Sequence, residues 1–307
     1  MLIALFLTAF ALIATLAMWL SPRTWVVDLA VHFRLQFAAC AVAAAVLFTA
    51  TAHLAWAAVA LVPAVTNIAI AVAVLRGSSR DAAAAGESPV IRLASINVYY
   101  RNFKYQRVID LLQRERADAV VLVEVTAAWE AALAAVRAQY PYWHVTRGRK
   151  GTGVMLLSRL PFAAVAELPG YSEVEPAIIA TLQVQEQSLQ ILGVHTSWPL
   201  GRRSSMLRDQ QLERLAQFAR SVTAPLVILG DLNVSPFSAR FQDMLVAGEL
   251  RSAADGHGWQ PTWPTFLPAA GIHIDHGLTR GAVTVRSFRR GPSVGSDHLP
   301  IIIECSL

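Results

Sequence analysis

Cysteine is almost missing from this chain. Of its 307 residues only Cys40 and Cys305 carry a thiol, one inside an apolar run and the other near the C-terminus. A disulfide between them is implausible, and no Cys/His cluster has the spacing of a zinc site. Charge is scarce too: 15% of residues are charged against 55% hydrophobic, too apolar for an ordinary soluble protein. No internal repeat is visible, and no Gly-Lys-Ser/Thr opens a helix, which excludes a P-loop. Lysine appears only as Lys104 and Lys150, so the formal charge of +5 is carried by arginine.

The apolar excess sits at one end. Leu2 to Leu20 holds no charged residue, and Leu35 to Leu75 is an uncharged run of 41 residues. A helix of that length reaches about 60 Å, roughly two hydrocarbon thicknesses. The pattern predicts three transmembrane helices, at 2–20, 35–52 and 55–75, with a tight turn near Thr51–His53. A cleaved signal peptide is the alternative for the first, but it lacks a basic n-region and two more spans follow. The segment SPRTWVVDLAVHFR between the first two spans holds Trp25, His32 and Phe33, which suit a membrane interface. With three spans, Arg23, Arg34, Arg76 and Arg80 share a side with the C-terminal domain, and the positive-inside rule favours the cytoplasm for it. The organisation expected is a membrane anchor over 1–76, a flexible linker over 77–88 (GSSRDAAAAGES from Gly77), and one domain over 89–307.

That domain carries 22 basic against 18 acidic residues, a mild excess compatible with an anionic substrate without demanding one. Its elements alternate early: strands at 90–98 and 118–125, helices at 103–116 and 129–140. Strands follow at 153–159, 163–167, 177–185 and 188–195, then a long helix at 203–221. The order closes with a strand ending near Gly230, a helix near 238–247, and three short strands in IDHGL, AVTVRSF and HLPIIIEC. Strand pairs in the middle argue for an α/β sandwich of mixed sheets covered by helices, and against a doubly wound parallel sheet.

The stretch VILGDLNVSPFS, Val227 to Ser238, concentrates the chemistry. An apolar strand runs into Gly230, and Asp231 and Asn233 follow at strand spacing, which turns both toward one side. Turn formers alone account for such a stretch about as well. The same placement recurs, however. Asn97 in ASINV, Glu124 in VVLVEV, His195 in LGVHT, Asp275 in IHIDH, and Asp297 with His298 in GSDHLP all end apolar strands. A carboxylate at the end of a run like Ala119–Val123 is costly to bury unless it is paired or bound to a cation. His273 and His276 flank Asp275 and are read as facing the other way. TRGRKGTG (146–153) gathers Arg147, Arg149 and Lys150 in a glycine-rich loop, with a hairpin turn slightly preferred over a phosphate grip. Trp198, Trp259 and Trp263 fall in loops expected beside the site.

On these motifs, in this order, the chain from 90 to 307 resembles the endonuclease/exonuclease/phosphatase superfamily, the DNase I-like fold. Val123 precedes the glutamate where the abasic-site enzymes have Gln, and His195 follows the DNase I-like pattern. The resemblance implies a DNase I-like sandwich of two mixed β-sheets flanked by helices and a divalent-metal-dependent phosphoester hydrolase. Glu124, Asn97 and Asp297 are the expected metal ligands, for Mg2+ or Mn2+ given the oxygen donors. Asp231 is expected to deprotonate water, Asn233 to hold a phosphoryl oxygen, and His298, oriented by Asp275, to contact the phosphoryl group, with His195 as a second donor. The three spans make the chain similar to membrane-anchored bacterial members, including teicoplanin-resistance membrane proteins, and imply a multi-pass protein of the bacterial cell membrane. That branch faces outward, against the arginine count. The expected partners are the lipid bilayer and a phosphate-containing substrate, lipid-linked or, for a tethered nuclease, nucleic acid; no obligate protein partner is evident. A catalytically dead binding module is disfavoured because every motif residue is present. Removal of residues 1–88 is expected to leave a soluble domain with intact chemistry on small phosphoesters.

Overall fold

The computed structural model describes residues 1–20, 23–77, 90–148, 151–172 and 174–307. The linker expected at 77–88 lies outside them except for Gly77. Four helices come first: α1 (Leu2–Leu20), α2 (Trp25–Val31), α3 (Arg34–Ala50) and α4 (Leu54–Arg76). α1 and α4 are each long and apolar enough to cross a membrane; α2 and α3 meet the same test only together, as a pair bent by 66°. α1, α3 and α4 pack side by side through small residues, with Ala4, Ala11, Ala41, Ala44, Ala60 and Ala64 buried. Their large apolar side chains, such as Phe6, Ile13, Leu16 and Val65, point outward. That is the inverse of a water-soluble bundle and is compatible with a hydrocarbon surround.

The rest of the chain forms two six-stranded sheets. The first runs β11-β12-β1-β2-β4-β3 and the second β5-β6-β7-β8-β10-β9. In the first, β1 (Val90–Asn97) pairs parallel with β2 (Ala119–Val125) and antiparallel with β12 (Ile301–Ser306). β2 continues to β4 (Gly153–Ser158) and β3 (Tyr142–Arg147), while β11 (Thr284–Arg290) closes the other edge. In the second sheet, β7 (Gln187–His195) pairs parallel with β8 (Leu226–Asp231), which pairs antiparallel with β10 (Asp275–Arg280). β5 (Phe162–Glu167), β6 (Ile178–Val184) and the two-residue β9 (Arg251–Ser252) complete it.

Strand alternation explains why these runs are apolar throughout. In β2, Ala119, Val121 and Val123 face the opposite sheet, while Val120 and Leu122 face α5 (Tyr105–Glu115) and α6 (Ala127–Leu133). In β8, Val227 and Leu229 fill the sandwich, and Leu226 and Ile228 meet α7 (Arg202–Ser221) and α8 (Ala239–Gly248). Both faces of each central strand are covered, so neither can be polar.

Two expectations change. The helix expected at 129–140 stops at Leu133, continues as a 3-10 turn to Val136, and is followed by β3, which sequence reading passed over. β3 is an edge strand with little burial, so its apolar alternation is faint.

The chemistry-bearing ends of β7 and β8 are held together by a glycine. Gly230 has φ +151°, and a Cβ there would stand 1.8 Å from the Val194 carbonyl oxygen on the paired strand. We expect Gly230→Ala to destabilise the domain by about 1–3 kcal/mol, as overpacking does, seen as a lowered midpoint in thermal unfolding; an unchanged midpoint would show that the strands part without cost.

Candidate active site

Strand register brings the motif residues together. Asp231 ends β8 with His195 beside it on parallel β7 and Asp275 opposite it on antiparallel β10. β1 and β2 end side by side across the sandwich and deliver Asn97 and Glu124. A bulge between Val123 and Val125 gives Glu124 a φ of +61°, and this break in the pleat turns its half-buried carboxylate out of the core. Tyr99 and Asn233 also have positive φ, so three of the seven non-glycine residues with positive φ among the described residues border one site.

The contacts form a network around Asp231. Asn97 Nδ2 lies 3.0 Å from both Glu124 Oε1 and Asp231 Oδ2. The Asp231 Oδ2 atom also faces His298 Nε2 at 3.7 Å and His195 Nε2 at 3.8 Å. Its other oxygen accepts the Asn233 backbone N–H at 2.9 Å, and the Asn233 side chain donates to the Thr196 carbonyl at 3.0 Å. Behind each imidazole stands a carboxylate: Asp275 Oδ2 is 2.8 Å from His298 Nδ1, and Glu175 Oε2 is 3.4 Å from His195 Nδ1.

Burial and charge oppose one another here. Burial alone would depress His298, but Asp275 and Asp231 override it and raise its pKa to about 10. His195 is likewise opposed by burial yet raised to about 9, chiefly by Glu175. Burial pushes Asp231 up to about 6, against the attraction of His298. Two imidazolium donors therefore flank one buried carboxylate at neutral pH.

Asp297 lines the same cavity; its Oδ2 accepts the Trp263 indole N–H at 3.2 Å, and its buried Oδ1 has no hydrogen-bond partner. That orphaned oxygen and the turned-out Glu124 carboxylate are hard oxygen donors with no thiolate beside them, the kind a magnesium- or manganese-class cation takes. Asn97 turns its Nδ2 toward Glu124 and Asp231, while its Oδ1 accepts the Tyr99 backbone N–H at 2.9 Å. Asp231, Asp275 and His298 also offer ligand atoms within 4.8 Å of one another. One of these contacts is already taken by the Asp275–His298 hydrogen bond.

The cavity measures about 820 Å³, and part of its wall comes from the N-terminal helices: Leu29, His32 and Phe33 line it beside Glu124, His195, Asp231, Asn233 and His298. α2 is latched to the catalytic domain by buried polar contacts. Asp28 pairs with Arg208 of α7 at 2.5 Å and accepts the Ser238 hydroxyl, and His32 Nδ1 lies 2.8 Å from Ser235 Oγ. Arg208 in turn donates to the Asn233 carbonyl at 3.3 Å.

Sequence reasoning missed Glu175, Arg208, Asp28 and His32. The signal for Asp28 was there, a carboxylate between two apolar runs, but its partner lies 180 residues away. Of the tryptophans, Trp198 and Trp263 line the cavity, whereas Trp259 stacks on Phe237 away from it. Arg147 pairs with Glu130, which supports the turn reading of its loop; Arg149 and Lys150 lie outside the described residues. His273 would share the face of Asp275 if the strand ran back that far, but β10 begins at Asp275, and His273 stacks on His276 in a buried pair outside the cavity lining.

A model of the Endonuclease/Exonuclease/phosphatase family matches residues 94–298, more than half of the chain. The chain belongs to this family. Its members include metal-dependent phosphoester hydrolases. Among solved structures, humanized D. rerio TDP2 is similar over 71% of this chain and 99% of its own, with TM-score 0.62 and 20% identity. An endonuclease/exonuclease/phosphatase from Beutenbergia cavernae aligns over 71% of this chain and 72% of its own, with TM-score 0.59 and 19% identity. Sphingomyelinase C from Streptomyces griseocarneus covers 71% of this chain and 99% of its own, with TM-score 0.53 and 21% identity. At these identities the likeness shows the fold alone. No curated protein matches the chain in sequence.

The latch alters the expectation that residues 1–88 can be removed at no cost to the chemistry. Without Asp28, the buried Arg208 keeps only Asp209 as a carboxylate partner, and the cavity loses a wall. Asp28→Ala should destabilise the full-length protein by about 3 kcal/mol, because it leaves a buried charge poorly compensated. Chemical denaturation followed by catalytic-domain fluorescence measures this; a cost under about 0.5 kcal/mol would mean that the latch is no more than a surface contact.

Proposed function

We propose that this protein is a membrane-anchored, divalent-metal-dependent phosphoester hydrolase acting on a membrane-linked phosphodiester or diphosphate. The observation that carries the reading is the shared cavity: a segment between apolar helices forms part of the wall of a phosphoester-hydrolase-type site. If α1 and α3 enter one bilayer, the segment joining them lies on the same side as the domain that follows α4. The cavity then opens beside the lipid headgroups.

In this reading Asp231 orients the attacking water and takes its proton; it lines the cavity, and its Oδ2 lies within 3.8 Å of both imidazoles. His298, held charged by Asp275, and His195, held by Glu175, donate to the phosphoryl oxygens as charge builds there. Asn233 adds its amide, fixed by Thr196 and by the Arg208 contact to its carbonyl. Glu124, Asn97 and Asp297 would hold the cation, which offsets negative charge on the phosphoryl group when bound.

A tethered nuclease is the alternative. It calls for an open basic groove, whereas the cavity lining includes one arginine, Arg101, and no lysine among the described residues. The bacterial cell membrane is the proposed location. Two of the four arginines behind the cytoplasmic assignment have structural tasks, Arg23 pairing with Asp243 and Arg34 with Asn67, so their placement says little about topology.

The deciding experiment offers duplex DNA, phospholipids and a polyprenyl diphosphate in parallel to the purified full-length protein with magnesium. Release from a lipid substrate is expected; cleavage of DNA alone would promote the nuclease. Asp231→Asn and His298→Ala should each lower turnover by on the order of 10²–10⁴ while the protein stays folded, and activity within a few-fold of wild type would move the site elsewhere. Glu124→Gln should raise the magnesium requirement, with partial rescue at high concentration; overlapping titrations would remove Glu124 from the ligand set.

A further inference from the structure

We infer that the wall which α2 adds to the cavity is a hydrocarbon subsite, and that the substrate is a long-chain lipid whose phosphoester headgroup enters sideways from the bilayer. This rests on the phosphoester-hydrolase reading above and names the substrate class for it. The inter-span segment has two stripes at helical spacing. Asp28 and His32 form one and latch the segment to Arg208, Ser238 and Ser235. Leu29 and Phe33, one position on, form the other, and they line the cavity together with His32. An apolar stripe presented to a phosphate site does nothing for a water-soluble ester, but it removes methylenes next to the headgroup from water.

The opposite wall continues the pattern. Trp198 and Leu200 line the cavity while remaining 62% and 56% exposed. Beyond them Met206 and Leu207 are exposed on the first turns of α7, in a shallow groove shared with Arg202 and Arg203. Phe266 and Leu267 are exposed in the loop that carries the cavity-lining Trp263. Of the eleven large apolar side chains exposed among the described residues from 90 on, six are these: Trp198, Leu200, Met206, Leu207, Phe266 and Leu267. Exposed apolar groups mixed with tryptophan and arginine are the composition of a surface resting on lipid headgroups. The cavity volume of about 820 Å³ accommodates a headgroup and the first carbons of a chain, and the remaining carbons would stay in the bilayer.

The test uses the full-length protein in lipid nanodiscs and the variants Leu29→Ser and Trp198→Ala; Trp198 is exposed, so its variant folds even if the other does not. The first readout is binding of ethyl, butyl and hexyl phosphate by calorimetry. Wild-type affinity should rise about two- to fourfold per methylene, and the variants should flatten that slope. The second is the ratio of kcat/KM on a long-chain phosphodiester in vesicles to kcat/KM on bis(p-nitrophenyl) phosphate, which should fall about tenfold, mainly through KM. A wild type with no chain-length preference, or variants that lose both activities equally, would overturn the subsite. Stronger binding of an oligonucleotide than of hexyl phosphate would overturn it in favour of stacking on Trp198. A wild type that shows the chain-length slope yet hydrolyses no phosphoester would sink the hydrolase reading and leave the subsite standing.

Discussion

The Asp28–Arg208 pair is the contact on which the architecture turns. Both side chains are almost fully buried, and a buried ion pair contributes little net stability compared with apolar packing. What it contributes is registry. Removing Arg208 strands the Asp28 carboxylate, and removing Asp28 leaves Arg208 with Asp209 as its one carboxylate partner among the described residues, so the pair favours this docking of α2 on α7. Arg208 also reaches the Asn233 carbonyl, which places a residue of α2 two contacts from a residue of the cavity lining. The N-terminal helices and the site are thus joined through one buried arginine.

The same logic operates within the site. Asp231 is buried among groups that each need a counter-charge: His298 and His195 are cationic because Asp275 and Glu175 stand behind them. Each imidazole is clamped between two carboxylates, and Asp231 is the one common to both. An anion entering beside Asp231 meets two fixed donors that have already been desolvated and oriented during folding. Such preorganisation is what stabilises charge developing in a transition state.

Much of this could be read in the sequence, and the limit is physical. Asn97, Glu124, His195 and Asp231 were legible because each ends an apolar run. Asp275 instead opens β10 and His298 sits in the loop before β12, so these two were legible through the motif resemblance and not through strand ends. The mixed two-sheet fold was legible from the apolar runs too, since stretches such as Ala119–Val123 must be covered on both faces. Glu175 was not, because it sits in a loop before β6 and finds His195 only through the fold. β3 was not, because an edge strand needs no strong apolar alternation. Asp28 and His32 were visible as polar residues between apolar helices, but interface residues look the same, and nothing local marks a partner that lies about two hundred positions away.

A cavity made from strand ends alone would be an open edge; here α2 and the turn that follows it supply part of the wall. The cost is a carboxylate placed between two apolar helices, which would resist burial in lipid or protein without Arg208. That cost makes sense only if the wall matters to what the cavity holds. A segment that merely joined α1 to α3 would be free to stay polar and solvated. This one instead turns Asp28 toward Arg208 and Ser238, while Leu29, His32 and Phe33 meet the cavity, His32 reaching Ser235 as well. The latch therefore fixes which face of α2 borders the site, and two of the three side chains presented there are apolar.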